Sequence, residues 1–164
     1  MGHDLRLLLF VTEQRHLKRL TLVWEKQPVY FITTCVADRK PLLASTTVHA
    51  ILQEELSGLR ERYGWAVGRY VIMPDHVHFF VTPLLSEAKS LNLAIGKWKE
   101  WTAKRILRST GELAPLWQPE FFDHLLRSDE SRADKWSYMQ MNPVRAGLVT
   151  RAENWAYAGA VDFE

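Results

Sequence analysis

The sequence contains a single cysteine, Cys35, among its 164 residues. One cysteine excludes an internal disulfide, and Cys35 lies in an apolar run where we expect it to pack rather than to react. No run of eighteen apolar residues is present, because Arg, Lys, Asp or Glu interrupts every candidate, which excludes a membrane-spanning helix. The start of the chain has no small-residue secretory cleavage site. We therefore expect a soluble cytoplasmic protein with no membrane partner.

Internal repeats, low-complexity tracts and linkers rich in Gly, Ser or Pro are also absent, which indicates a single domain. We place this domain at residues 28–164, after an N-terminal extension of residues 1–27, whose first sixteen residues we interpret as a mis-assigned start or a flexible arm. The net charge is only +2. Residues 89–151 nevertheless carry eleven Lys and Arg against seven Asp and Glu, so the basic surplus lies in the second half.

Hydrophobic periodicity predicts four strands and three helices in the order βαββαβα. Thr46 or Thr47 is expected to cap the first helix, and Gly64 to end it. Its polar face is expected to carry Glu55. The predicted strands are residues 30–36, 65–73, 76–82 and 121–127, and the predicted helices end at residues 63, 107 and 141. This pattern is typical of an α+β ferredoxin-like sandwich with an antiparallel sheet and an added C-terminal helix.

A histidine pair, His76 and His78, occurs within the run VIMPDHVHFFV. Residues i and i+2 of a strand point to the same face, so the two imidazoles converge. Imidazole nitrogens suit several divalent metals, and the pair therefore predicts part of a metal site. The alternative is two half-exposed histidines on an ordinary strand.

Tyr138 and Asn142 are four residues apart in the last predicted helix and share one face. Pro143 is expected to turn the chain out of the helix directly after Asn142. The phenol can serve as a nucleophile, and an amide oxygen added to two imidazoles is compatible with Mg²⁺ or Mn²⁺. The alternative is a core tyrosine followed by a helix-capping asparagine.

A basic stripe of Lys97, Lys104 and Arg108 with Trp101 lies along the second predicted helix. Such a stripe can follow a phosphate backbone, and the alternative is a solvated helix face.

Four segments together resemble the REP-associated tyrosine transposases, within the single-tyrosine HUH transposases of bacterial insertion sequences. They are YFITTCVADRKPLL, YVIMPDHVHFFVTP, LWQPEFFDHLLR and YMQMNPVRAGLV. The resemblance implies that Tyr138 is the nucleophile and that His76, His78 and Asn142 bind the metal. The nearby residue Asp75 varies in the family, and we expect it not to affect the chemistry.

The resemblance also implies a metal-dependent enzyme that cleaves and rejoins single-stranded DNA beside hairpins through a 5′-phosphotyrosine. Such a protein would associate with the nucleoid when it acts. Candidate contacts to the DNA are Lys97, Lys104, Arg105, Arg127, Lys135 and Arg145, and Lys135 is also a candidate for activating Tyr138.

Three alternatives remain: an inactive or domesticated DNA-binding protein of this fold, a phosphodiesterase that uses water, and a purely structural module. The family includes dimers with composite sites as well as members that act alone, so a homodimer is the alternative to a monomer.

Overall fold

The computed structural model describes residues 27–164, and the predicted N-terminal extension lies outside the described residues except for Gln27. The described chain folds into a five-stranded antiparallel sheet with helices on its faces. In chain order the strands are β1 (Val29–Cys35), β2 (Trp65–Ile72), β3 (His76–Pro83), β4 (Phe122–Leu126) and β5 (Ala158–Ala160). The helices are α1 (Thr46–Ser57), α2 (Leu59–Tyr63), α3 (Leu91–Thr110), α4 (Asp129–Gln140) and α5 (Asn142–Arg145).

The strand order is β4-β1-β3-β2-β5, so the first four strands have the ferredoxin-like arrangement that the sequence predicts. Short β5 was not predicted; it pairs with β2 through residues 158–160 and extends that edge of the sheet. Within residues 27–164, no helix has the length and apolar character needed to cross a membrane.

The first predicted helix is two helices, and its predicted cap was wrong. Ser45 caps α1, because its hydroxyl accepts a hydrogen bond from the amide of Val48 at 3.3 Å. Gly58 separates α1 from α2, and Gly64 ends α2 in the left-handed conformation with φ of 74°. A Cβ at Gly64 would lie 2.6 Å from the carbonyl of Glu87, so glycine is required there on two counts.

The sequence predicted that Glu55 lies on the polar face of the first helix. That prediction was wrong, because Glu55 is buried. It accepts hydrogen bonds from Arg62 at 2.8 Å and from Arg105 at 2.7 Å, and these two cations compensate the buried charge. The sequence pattern missed this because Arg105 is fifty residues away and comes from the facing helix α3.

Two apolar layers lie on opposite faces of the sheet. On the first face α1 and α3 cover strand residues that include Val77, Phe79 and Val81 of β3, and Trp98 is fully enclosed there. On the second face a smaller cluster contains Phe31, Phe80 and, from α4, the buried Met139. Successive side chains of β3 point to opposite faces of the sheet. Val77, Phe79 and Val81 point to the first face, so His76 and His78 point to the second.

Candidate active site around His76, His78 and Tyr138

His76 and His78 lie together at the start of β3, as the alternation of the strand predicts. Their ring centroids are 4.7 Å apart. His78 is buried and stacks on Phe31 of the neighbouring strand β1, with ring centroids 5.1 Å apart. A tight turn at Pro74 and Asp75 joins β2 to β3, and it is closed by a hydrogen bond from the Met73 amide to the His76 carbonyl at 2.8 Å. The pair therefore stands on a rigid hairpin.

Each imidazole has a hydrogen-bond partner at Nδ1. His76 Nδ1 lies 2.7 Å from Asp75 Oδ1, and His78 Nδ1 lies 2.8 Å from Thr33 Oγ1. The Asp75 carboxylate can only accept, so a neutral His76 carries its proton on Nδ1. The same tautomer of His78 lets its Nδ1–H donate to Thr33. Both Nε2 atoms then offer a lone pair. Histidines that bind a metal through one ring nitrogen usually donate a hydrogen bond from the other in this way.

Both imidazoles are neutral near pH 7. Burial, reinforced by the neighbouring His76 and by Lys135, lowers the pKa of His78 to about 3. Burial also lowers the pKa of His76, although the hydrogen bond and the charge of Asp75 oppose that shift. Neutral imidazole is the form that binds metal ions.

Tyr138 comes to the same place from α4. Its ring centroid is 6.4 Å from that of His78, and half of the residue is exposed to solvent. Helix α4 is fixed at its start by Ser128, whose hydroxyl accepts from the amide of Ser131 at 3.1 Å. Lys135 lies one turn before Tyr138, and its ammonium is 5.7 Å from the centroid of the phenol ring. The structure thus combines an accessible phenol, a cation and two imidazoles.

Asn142 is not on the same helix as Tyr138, which corrects the prediction of one continuous helix. Helix α4 ends at Gln140, and Asn142 begins the short helix α5 with Pro143 in its first turn. Proline is well tolerated in a first turn, so Pro143 starts a helix here rather than ending one. The side-chain Oδ1 of Asn142 accepts a hydrogen bond from Arg145 at 2.8 Å. Its Nδ2 is buried and has no hydrogen-bond partner among the described residues.

The candidate DNA contacts fall into two groups. Lys135 and Arg145 flank Tyr138, whereas Lys97, Lys104 and Arg105 belong to α3 on the opposite face of the sheet. The three residues of α3 are paired with acids: Lys97 and Lys104 with Glu100, and Arg105 with Glu54 and Glu55. Arg127 follows β4 and is exposed. Of these candidates, only Lys135 and Arg145 lie beside Tyr138, whose ring is 6.4 Å from that of His78.

Three neighbours of the histidines escaped the sequence-based prediction: Asp75, Thr33 and Arg39. The residue at position 75 was expected not to affect the chemistry, and Asp75 contacts His76 directly. Thr33 faces His78 because β1 and β3 pair in the register Thr33↔His78. That register depends on the whole sheet, so the only local signal was the polar Thr33 within an otherwise apolar strand.

Comparison with known proteins places these features in a family. The model of the family described as "Transposase IS200 like" matches residues 26–133, a segment that includes both histidines and ends before Tyr138. The REP-associated tyrosine transposase of Escherichia coli K12 is 25% identical over 133 residues, covering 81% of this chain and 76% of the relative. A provisionally assigned REP-associated tyrosine transposase of Haemophilus influenzae is 25% identical over 141 residues, covering 81% and 80%.

Solved structures share the fold. A REP-associated tyrosine transposase bound to a REP hairpin superposes with a TM-score of 0.64 at 22% identity, covering 82% of this chain and 76% of the other. A provisionally assigned transposase from Deinococcus radiodurans gives a TM-score of 0.54 at 19% identity, covering 70% and 89%. At these identities the likeness establishes the architecture.

Proposed function

Because the chain belongs to the IS200-like transposase family, we propose that it cleaves and rejoins single-stranded DNA through a covalent bond between Tyr138 and a 5′ phosphate. The observation that carries this proposal is the position of the half-exposed Tyr138 ring, 6.4 Å from the His78 ring of the same chain. A phenol that merely packed in the core would be covered. This one faces solvent beside two imidazoles and two cations.

The donor set suits a divalent metal. Within residues 27–164 no three His, Cys, Asp or Glu side chains form a metal cluster, and the third protein ligand that we propose is a neutral oxygen, Oδ1 of Asn142. Two imidazole Nε2 atoms and an amide oxygen form a mixed set that Mg²⁺ or Mn²⁺ accepts, with positions left for phosphate oxygens. The buried Nδ2 of Asn142 has no partner among the described residues, and as a hydrogen-bond donor it suits a phosphate oxygen beside the ion rather than the ion itself. Such an ion, when bound, would polarise the phosphate as a Lewis acid.

The chain's own residues supply the remaining chemistry. The oxygen of Tyr138 attacks the phosphorus, a new O–P bond forms, and the bond from phosphorus to the preceding 3′ oxygen breaks. One proton is lost from the phenol and one is gained by the released 3′ hydroxyl. Lys135 and Arg145 place positive charge beside the reacting oxygen and the phosphate, where negative charge develops. The phosphotyrosine retains the bond energy, so a 3′ hydroxyl can reverse the step and join a strand.

We also propose that the DNA carries a hairpin next to the cleaved strand. The support is the similarity to REP-associated tyrosine transposases, one of which has been solved with a REP hairpin. Lysine and arginine contacts to phosphates would dominate affinity and make binding fall steeply with salt. Lys135 and Arg145 are the candidate contacts on the side of the histidines.

A labelled oligonucleotide with a hairpin from the DNA flanking the gene tests this function, in the presence of Mg²⁺ or Mn²⁺. The wild-type protein should form a covalent adduct, and Tyr138→Phe should bind the DNA without forming one. The matched control is Tyr157→Phe, which removes a phenol outside the cluster. Binding without an adduct in the wild type would favour a domesticated DNA-binding protein. Cleavage without an adduct would favour a phosphodiesterase that uses water.

A further inference from the structure

The carboxylate of Asp75 joins two side chains through its two oxygens. Oδ1 lies 2.7 Å from Nδ1 of His76, and Oδ2 lies 2.8 Å from Nε of Arg39. The Arg39 guanidinium also contacts the thiol of Cys35, the residue that pairs with His76 across β1 and β3. Arg39, Asp75 and His76 thus form a chain of charge-assisted hydrogen bonds that ends on a proposed metal ligand.

The backbone that carries Arg39 is strained. Asp38 and Arg39 both have φ of 55°, in the left-handed region that residues with a Cβ rarely adopt. The turn is tied to the hairpin of the histidines, because the amide of Val36 donates to the carbonyl of Asp75 at 2.8 Å. The amide of Arg39 in turn donates to the carbonyl of Val36 at 3.0 Å. Backbone strain of this kind persists where the surroundings enforce it, and it is concentrated at functional sites.

We propose that Asp75 is a positioning residue that holds His76 in the Nδ1–H tautomer with Nε2 free for a metal, and that Arg39 acts by fixing the Asp75 carboxylate. This inference rests on the proposed function of the histidines. A carboxylate only accepts hydrogen bonds, so it selects one tautomer, whereas a free imidazole populates both. The bond from Arg39 leaves the carboxylate one orientation, in which Oδ1 faces the ring.

A purely stabilising ion pair explains these features less well. Half of the Arg39 side chain and a quarter of the Asp75 side chain are exposed, so solvent screens the pair and limits what it contributes to stability. Such a gain would not offset two consecutive left-handed residues. Outer partners of metal-binding histidines, in contrast, typically change metal affinity by 10- to 100-fold.

The tautomer can be read by ¹⁵N NMR of the histidine-labelled, metal-free chain at pH 8. We expect His76 to carry its proton on Nδ1 in the wild type and to populate both tautomers in Asp75→Ala. Mn²⁺ affinity, measured by electron paramagnetic resonance without DNA, should fall about 10-fold or more in Asp75→Ala. Asp75→Asn adds a donor: with its oxygen turned toward Arg39, its amide nitrogen faces Nδ1 of His76, so this variant should favour the Nε2–H tautomer and lose Mn²⁺ affinity as Asp75→Ala does.

Arg39→Ala should weaken Mn²⁺ binding in the wild-type background but cause no further loss in Asp75→Ala or Asp75→Asn, because it acts through the carboxylate. Arg39→Lys should restore part of the loss. The matched control is Arg108→Ala, which removes an exposed arginine at the end of α3 and should leave Mn²⁺ affinity unchanged. If Asp75→Ala fails to fold, a double-mutant cycle of Arg39→Ala and Asp75→Asn, with Mn²⁺ affinity as the measured quantity, provides the test.

Two failures are distinguishable. If His78→Ala binds Mn²⁺ as tightly as the wild type, the metal site of the proposed function is wrong, whatever Asp75 does. If the histidines are required but Asp75→Ala keeps both the tautomer and the wild-type affinity, the positioning role is overturned. Additive losses from Arg39→Ala and Asp75→Asn would overturn the role of Arg39.

Discussion

The guanidinium of Arg145 packs on the face of Tyr138, with its central carbon 4.4 Å from the ring centroid. The same guanidinium donates hydrogen bonds to the backbone carbonyl of Tyr138 and to Oδ1 of Asn142. One side chain therefore ties the proposed nucleophile on α4 to the proposed metal ligand on α5. It does so across the break between the two helices, where no continuous helix holds them together.

Replacement of Arg145 should slow the reaction more than it weakens binding. We expect Arg145→Ala to reduce the single-turnover rate of adduct formation by roughly 10- to 100-fold, because two hydrogen bonds to a charged group are lost. Arg145→Lys should recover only part of the rate, since an ammonium lacks the planar fork. Quench-flow measurement of the adduct, with DNA affinity measured separately, checks this. Equal losses in rate and affinity would instead indicate a simple phosphate contact.

The proximity of Tyr138 to His78 of the same chain predicts a site completed within one chain. A mixture of Tyr138→Phe and His78→Ala should therefore form no adduct with the hairpin substrate. In a composite site between two copies, the mixture would restore one intact site, and adduct would reappear on a gel. Each variant alone and the wild type diluted with Tyr138→Phe serve as the controls.

Thr33 and Thr34 are neighbours on β1, and only replacement of Thr33 should lower metal affinity. Thr33→Val removes the partner of His78 Nδ1 and should lower Mn²⁺ affinity by about 10-fold. Thr34 is fully buried, and its hydroxyl has no hydrogen-bond partner among the described residues. Thr34→Val should therefore leave metal affinity unchanged and leave stability equal or higher. Calorimetric titration and thermal unfolding of both variants test the contrast.

Glu55 and Glu54 offer a matched pair for stability. Glu55 is buried between Arg62 and Arg105, so Glu55→Gln should destabilise the fold by about 1–3 kcal/mol in urea unfolding. The Glu54 side chain is 71% exposed and pairs only with Arg105 among these arginines, so Glu54→Gln should have a small effect. Similar losses in the two variants would mean that burial does not decide the contribution.

The stability of the metal-free protein should fall on acidification below the ordinary pKa of histidine. Burial lowers the pKa of His49, as it does those of His76 and His78, so the folded state binds fewer protons than the unfolded state. The contribution of these neutral histidines to the free energy of unfolding is therefore fully present above about pH 6.5 and declines as the pH drops below it. His49→Gln, which can still bond the hydroxyl of Tyr70, should reduce the decline between pH 7 and pH 5. An unchanged decline would contradict this.

The sequence was sufficient for the elements with strong local signals. The alternation around His76 and His78 predicts that both rings share one face, and β3 has that geometry because side chains of a strand repeat every two residues. The periodicity of α3 and the strand pattern were enough for the ferredoxin-like order. Local pattern could not predict the break at Gly58 or the separation of α4 from α5, because a single αR residue such as Met141 breaks the hydrogen-bond ladder without changing the spacing.

The amino-acid sequence alone determined which reactive and metal-binding side chains are present, and their spacing predicted the face of the strand or helix on which each lies. These are two histidines on one face of a strand and a tyrosine on a helix some sixty residues later. Only the tertiary structure decided that the Tyr138 ring lies 6.4 Å from that of His78, that Thr33 and Asp75 contact the two Nδ1 atoms, and that Arg145 bridges Tyr138 and Asn142. The physical reason is that these contacts depend on strand register and helix docking. Both are set by burial of the whole sheet, and neither can be read from a short stretch of sequence.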